Sequence, residues 1–222
     1  MSGSVIPPAV KRIAVLGAGH VGPVIARLAL DAGFEVAIAV SGSPENLELI
    51  TQVVMPGVEA RRGPDAVAVA DLVVLAIPLH RFPDLDPGLL AGKLVVDAMN
   101  YWAPADGVVP MFQGQELSSS EIVQRRLARS TVIKSLNQIG YQDLEDGRRP
   151  AGARDRHAIG VAGDDPRAAT LVGEIIDRFG YDPVLLGSLS AGRVLQPGGP
   201  VFGAVLTRFE FERAIQSTAV QA

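Results

Sequence analysis

Gly17, Gly19 and Gly22 stand at G-x-G-x-x-G spacing within Gly17-Ala18-Gly19-His20-Val21-Gly22. The chemistry such a triplet serves is phosphate binding through main-chain groups. Gly17 permits a tight turn, Gly19 lets the backbone approach a pyrophosphate, and Gly22 lets a helix pack close to a strand. The phosphates then meet the positive end of the helix dipole and its unpaired N–H groups. Glycine also serves ordinary turns, so the triplet needs its context. Ile13 to Leu16 precedes it as an apolar run of strand length, and Val24, Ile25, Leu28 and Ala29 follow at helical spacing. Strand, glycine turn and helix in that order predict a dinucleotide site over Gly17, Ala18, Gly19, His20, Val21 and Gly22.

The next chemical signal is an absence of acid. A second strand, Glu35 to Val40, ends at Val40-Ser41-Gly42-Ser43. An NAD site usually carries Asp or Glu here, bonded to the adenosine 2′-hydroxyl. Serines in a glycine turn suit a 2′-phosphate that a carboxylate would repel, which favours NADP held by Ser41, Gly42 and Ser43. No Arg or Lys immediately follows the serines, and Arg61 and Arg62 are candidates for the missing charge. Ser43-Pro44-Glu45 also reads as a helix N-cap with Pro at the first position.

Further candidates lie where apolar strands end, because open α/β sheets bind ligands at their carboxyl edge. Leu72 to Ile77 runs into Pro78, Leu79 and His80, and a strand from Lys93 to Ala98 runs into Asn100. Ile77, Pro78, Leu79 and Asn100 are candidates for the nicotinamide end of a dinucleotide, with His80 on the substrate side. The three histidines, His20, His80 and His157, are far apart and lack metal-ligand spacing. There is no G-x-S-x-G elbow and no Walker loop. What remains is a cofactor fold without an evident proton-transfer constellation. Hydride transfer to a carbonyl normally wants a general acid, whereas transfer between two redox coenzymes wants mainly the alignment of two rings.

The elements that must position these residues alternate along the chain. A short strand near 58–61, a helix over 64–70 and the strands at 72–78 and 93–98 follow the second strand. A loop spans 101–117, and Ser118-Ser119-Ser120-Glu121 caps a helix reaching Arg129. Strands at 131–137, 157–162 and 181–186 flank a polar loop at 142–156 and a helix over 164–179. A last helix is expected over 200–215, after the turn Gln196-Pro197-Gly198-Gly199. Such alternation means an α/β fold, a doubly wound parallel sheet of Rossmann type with a small C-terminal α/β extension. The expected division is a nucleotide domain at 11–129 and a part at 130–222 that completes the sheet and an acceptor cleft.

Composition narrows the partners. The net charge of −4, with no basic tract beyond arginine doublets, makes nucleic acid and anionic membrane poor partners. Aromatic residues at 5% are too few for base-stacking platforms. No cysteine is present, which removes thiol nucleophiles, disulfides and thiolate metal sites together. No apolar run reaches membrane-spanning length, and residues 1–10 lack the apolar region of a signal peptide. Cytoplasmic residence is the expectation.

Several segments taken together resemble the NADPH-dependent coenzyme F-420 (deazaflavin) reductases, a fold shared with the cytosolic domain of STEAP-type metalloreductases. Leu72 to Pro78 is similar to the family's D-x-V-V-L-A-V-P strand, and Val95 to Asn100 to its V-I-D-x-x-N. Val132-Ile133-Lys134-Ser135-Leu136-Asn137-Gln138-Ile139 resembles V-V-K-A-F-N-T-I. Ala162 to Asp165 resembles a G-D-D stretch, and Gln196 to Pro200 a late Q/E-P-x-x-P stretch. The resemblance implies hydride transfer between NADP(H) and a second carrier, a deazaflavin such as coenzyme F-420 or a flavin-like ring. It carries cofactor roles to Gly17, Gly19, Gly22, Ser41, Ser43, Pro78, Asn100 and Asn137. It implies acceptor contacts for His80, Ile139, Arg193, Gln196 and Pro197, no catalytic acid or base, and a homodimer acting on a small-molecule redox acceptor. The chain departs from the family pattern at Gly42, Gln138 and Tyr101-Trp102. Rival readings are an NADP-dependent reductase of a small carbonyl or imine, and a dinucleotide-sensing protein without turnover.

Overall fold

The computed structural model describes residues 9–40, 51–102, 106–113 and 116–219. Six strands form one parallel sheet: β1 (Arg12–Leu16), β2 (Glu35–Val40), β3 (Glu59–Arg62), β4 (Leu72–Leu75), β5 (Leu94–Asp97) and β6 (Thr131–Lys134). Their order is β3-β2-β1-β4-β5-β6, so the chain switches direction between β1 and β4. That crevice is where an open α/β sheet binds its ligand. Apart from the polar edge strand β3, the strands are largely apolar on both faces because helices cover both. On one face Ile13, Val15, Val36, Ile38 and Val74 pack against helix α1 (Val21–Asp31). On the other, Ala14, Leu16, Ala39, Val73 and Val95 pack against α2 (Gly63–Val69) and α3 (Ser119–Arg126). The expected cap of α3 is present as a capping box. Glu121 N donates to Ser118 Oγ at 3.2 Å, and Ser118 N donates to Glu121 Oε2 at 2.7 Å.

After β6 the chain forms the smaller α/β extension. Strands β7 (Ala158–Val161) and β8 (Asp182–Leu185) pair in parallel, and α5 (Pro166–Arg178) crosses between them. A single antiparallel bridge, Lys134 with Ala162, links β6 to β7.

Two expectations are corrected here. The polar stretch at 142–156 is not a plain loop. It opens with helix α4 (Tyr141–Asp146) and closes on Arg156, which is buried and bonds Asp177 Oδ1 at 2.7 Å and Asp182 Oδ1 at 2.9 Å. These contacts tie it to α5 and β8. The last helix, α6 (Arg208–Ala219), begins later than 200. Gly203 holds φ at +75°, a left-handed turn that a helix cannot include. The start is set by Thr207, whose N and Oγ1 both donate to Glu210 Oε2, at 2.8 and 2.7 Å. No described helix is long and apolar enough to cross a membrane.

Candidate dinucleotide and acceptor site

The glycine turn joins β1 to α1 at the switch point. Gly17 holds φ at +114°, which an L side chain would strain, and its N–H donates to Ala39 O at 2.8 Å. A Cβ at Gly17 would overlap the Ala76 carbonyl, and one at Gly22 would overlap the Gly17 carbonyl. A Cβ at Gly19 meets nothing within 4 Å. So Gly17 and Gly22 are glycine for the fold, while Gly19 keeps space free outside it. No side chain caps α1, and its first turn holds no acid. Its leading N–H groups are therefore left for an anion. A pyrophosphate fits this arrangement.

The turn opens on a mainly apolar cleft of ≈ 410 Å³, lined by Gly17, Ala18, Gly19, Gly63, Ile77, Pro78, Leu85 and Leu89. Of the sequence candidates it gathers the glycine turn, Ile77 and Pro78. Leu79 instead fills the core of the α2–α3 face, and Ile139 the core of the α1 face. Ser41, Gly42 and Ser43 lie outside the described residues. His80 is half exposed, with Nδ1 3.5 Å from Asp106 Oδ1.

A second polar group forms at the ends of β5 and β6. Asn100 Nδ2 donates to Asn137 O at 2.8 Å, and Asn137 Nδ2 donates to Asn100 Oδ1 at 2.8 Å. Asn137 Nδ2 also donates to Leu195 O at 2.6 Å. Leu195 ends the 3-10 turn Leu189–Leu195, so this bond brings the late Arg193 to Pro197 stretch to the carboxyl edge of the sheet. Asn137 Oδ1 and Gln196 Nε2 are both buried without a partner among the described residues. Arg193 is exposed, 3.8 Å from Glu121. Pro197 is half-buried beside it.

Residues to which the sequence reading gave no site role support this group. Leu136, immediately before Asn137, has φ +64°, the single positive φ of a non-glycine among the described residues. A γ-branched residue held in left-handed backbone is strain kept at a site. Gln138 clamps β7: its Nε2 donates to Ala158 O at 3.2 Å, and Gly160 N donates to its Oε1 at 2.7 Å. The glutamine at 138 is thus accounted for by the fold. Beneath lies a buried ion pair. Asp97 Oδ2 is 3.5 Å from Lys134 Nζ and accepts from Ser120 Oγ at 2.7 Å, and Lys134 donates to Met99 O. Burial pushes the Lys134 ammonium below the usual lysine range, and Asp97 opposes that shift. The pair fixes residues 97–100 and so aims Asn100. A lysine closing an otherwise apolar strand was the signal for it. Tyr141 was also missed. It stacks on His20 with ring centroids 5.0 Å apart, laying α4 against the glycine turn. Arg27 and Glu145, 2.5 Å apart, join the same two helices.

Comparison with known proteins bears on this geometry. Residues 12–101 match the family model described as NADP oxidoreductase, coenzyme F-420-dependent. That segment holds the glycine turn, the switch-point crevice and Asn100. The chain superposes on SMa0349 from Sinorhizobium meliloti with a TM-score of 0.75 and 28% identity, over 89% of this chain and 96% of that one. It superposes on a protein from Arthrobacter sp. FB24, provisionally named an F-420-dependent NADP reductase, with a TM-score of 0.68 and 26% identity. That match covers 90% of this chain and all (100%) of the other. Among curated proteins it is 22% identical to rat metalloreductase STEAP3 over 86% of this chain, and 36% identical to Escherichia coli YjhV over 27% of it. It spans only 37% and 43% of those two proteins. An imine reductase from Pseudomonas shares the fold at 18% identity, with a TM-score of 0.55. Together the solved structures show a Rossmann-type fold, and the family that residues 12–101 match is one of NADP oxidoreductases.

Proposed function

We propose that the protein transfers a hydride directly between NADP(H) and a flat ring acceptor, a deazaflavin of the coenzyme F-420 kind or a flavin. Bound NADPH supplies the hydride. The glycine turn and the open end of α1 hold its pyrophosphate, and Ile77 and Pro78 bound the groove toward the nicotinamide. The observation that carries the acceptor assignment is the pair of buried, unpartnered polar atoms beside the Asn100–Asn137 joint. Asn137 Oδ1 offers an acceptor and Gln196 Nε2 a donor. Buried polar atoms are rarely left unpaired, so these two read as contacts for a ligand with an N–H and a carbonyl on one edge. The pyrimidine edge of a flavin or deazaflavin has that pattern. The residues then work by alignment: Asn137 and the 193–197 turn fix one ring, the groove fixes the other, and no side chain moves a proton.

One observation favours a second reading. His80 beside Asp106 is a histidine–carboxylate pair after β4, and such a pair can act as a general acid toward a carbonyl or imine. Turnover of NADPH with a panel of deazaflavin, flavin, ketones and imines, by wild type and His80→Asn, separates the two. Ring-to-ring transfer predicts consumption of a ring acceptor that His80→Asn leaves nearly intact. Consumption of imines alone, lost in His80→Asn, supports the second.

A further inference from the structure

We infer that Arg62 is the cation that selects NADP(H) over NAD(H), by pairing with the adenosine 2′-phosphate. This rests on NADP(H) being the dinucleotide. A 2′-phosphate calls for charge-assisted donors, and the position after Ser41 is a glycine. In doubly wound sheets the ribose 2′ position meets the carboxyl end of the second strand. The sheet brings Arg62 there from a distant part of the sequence. β3 lies parallel to β2, and Arg62 pairs in register with Val40, the last residue of β2. Neighbouring strands run about 5 Å apart, well within the length of an arginine side chain. Gly63, the next residue, lines the same cleft as Gly17 and Gly19.

The other cations of this corner are committed. Arg61 meets Glu59 Oε2 through Nε at 2.7 Å and Nη2 at 2.6 Å. Arg81, across the cleft, is 3.3 Å from Asp84. Arg12 is at the opposite end of the sheet and holds Glu35 at 2.6 Å. Arg62 is exposed and has no ion pair or side-chain hydrogen bond among the described residues. A free guanidinium beside the end of β2 can take a phosphate without first giving up a partner.

Calorimetric titration of the full-length protein with NADPH, NADH, 2′,5′-ADP and 5′-AMP tests this. Arg62→Ala and Arg62→Gln should weaken NADPH and 2′,5′-ADP by about tenfold or more, the scale of one charge-assisted bond. NADH and 5′-AMP should bind as in wild type, which also shows that the variants fold. Arg62→Lys should recover part of the loss, and Arg61→Ala should change little. If wild type prefers NADPH and Arg62→Ala keeps that preference, Arg62 is not the cation and the NADP reading stands. Equal binding of NADPH and NADH by wild type would overturn both.

Discussion

Asn100 and Asn137, one from the end of β5 and one from the end of β6, bond each other twice at 2.8 Å, side chain to main chain and side chain to side chain. Asn137 uses its remaining amide hydrogen on Leu195 O. The joint therefore sets the distance between the six-stranded sheet and the late 3-10 turn. Asn137→Ala should cost about 1–3 kcal/mol, because it leaves Leu195 O and the part-buried Asn100 Oδ1 without their donor. Urea unfolding measures this. The acceptor KM should rise with it, as the 193–197 stretch is released. A variant as stable as wild type would show that the joint does not hold the turn.

Gly19→Val should abolish NADPH binding and leave the fold standing, because a side chain there points into open space. Gly22→Ala should do the reverse. Its methyl meets the Gly17 backbone, and such overpacking costs about 1–3 kcal/mol or more. Calorimetric titration alongside thermal unfolding separates the two effects. Wild-type NADPH affinity in a folded Gly19→Val protein would remove the pyrophosphate from this turn.

Arg193→Ala and Gln196→Ala should raise the acceptor KM or lower kcat, with NADPH affinity nearly unchanged. Gln196 should have the larger effect, since its Nε2 is buried and unpartnered, whereas Arg193 is exposed and faces Glu121. Steady-state kinetics in both substrates measures the split. A change confined to NADPH affinity would move these residues to the dinucleotide side.

Stability should fall in the alkaline range through Tyr181. Burial pushes its phenol up to about 12, and its hydroxyl donates to Leu144 O at 2.5 Å, pinning α4. The folded protein keeps this proton where the unfolded chain, with an ordinary tyrosine near 10, loses it. The native state then binds more protons, so the contribution is complete below pH ~10 and is lost as pH rises toward 12. Unfolding free energies of wild type and Tyr181→Phe across that range check the sign. Parallel curves would contradict it.

The frame of the fold was legible because its signals are local. Ile13 to Leu16, the glycine spacing and Leu72 to Leu75 each carry their own periodicity, and Ser118-x-x-Glu121 is a capping box on its face. Helix α4 was not legible. It is short and polar with one buried residue, Leu144, and its support comes from His20, Arg27 and Tyr181, far away in sequence. The late start of α6 was legible in principle, because Thr207-x-x-Glu210 repeats the capping signature, but the expected start lies directly after the Gln196-Pro197-Gly198-Gly199 turn. At the site, Gly17, Ala18, Gly19, Ile77 and Pro78 line one cleft, each of them carried by a local signal in the chain. The buried Lys134–Asp97 pair and the strained Leu136 depend on which strands lie side by side, which spacing along one chain does not state. Arg62 is a candidate in the sequence together with Arg61, and the register of β3 on β2 is what brings it to the end of the second strand.

The central claim is direct hydride transfer from NADPH to a ring acceptor. It is tested most directly with NADPH deuterated at the nicotinamide C4, mixed anaerobically with the protein and an oxidised deazaflavin or flavin, and read by mass spectrometry of the reduced acceptor. The account predicts NADPH oxidation that depends on the protein, with the deuterium recovered on a carbon of the deazaflavin. Deazaflavin left oxidised while an imine or ketone takes up the deuterium would contradict it.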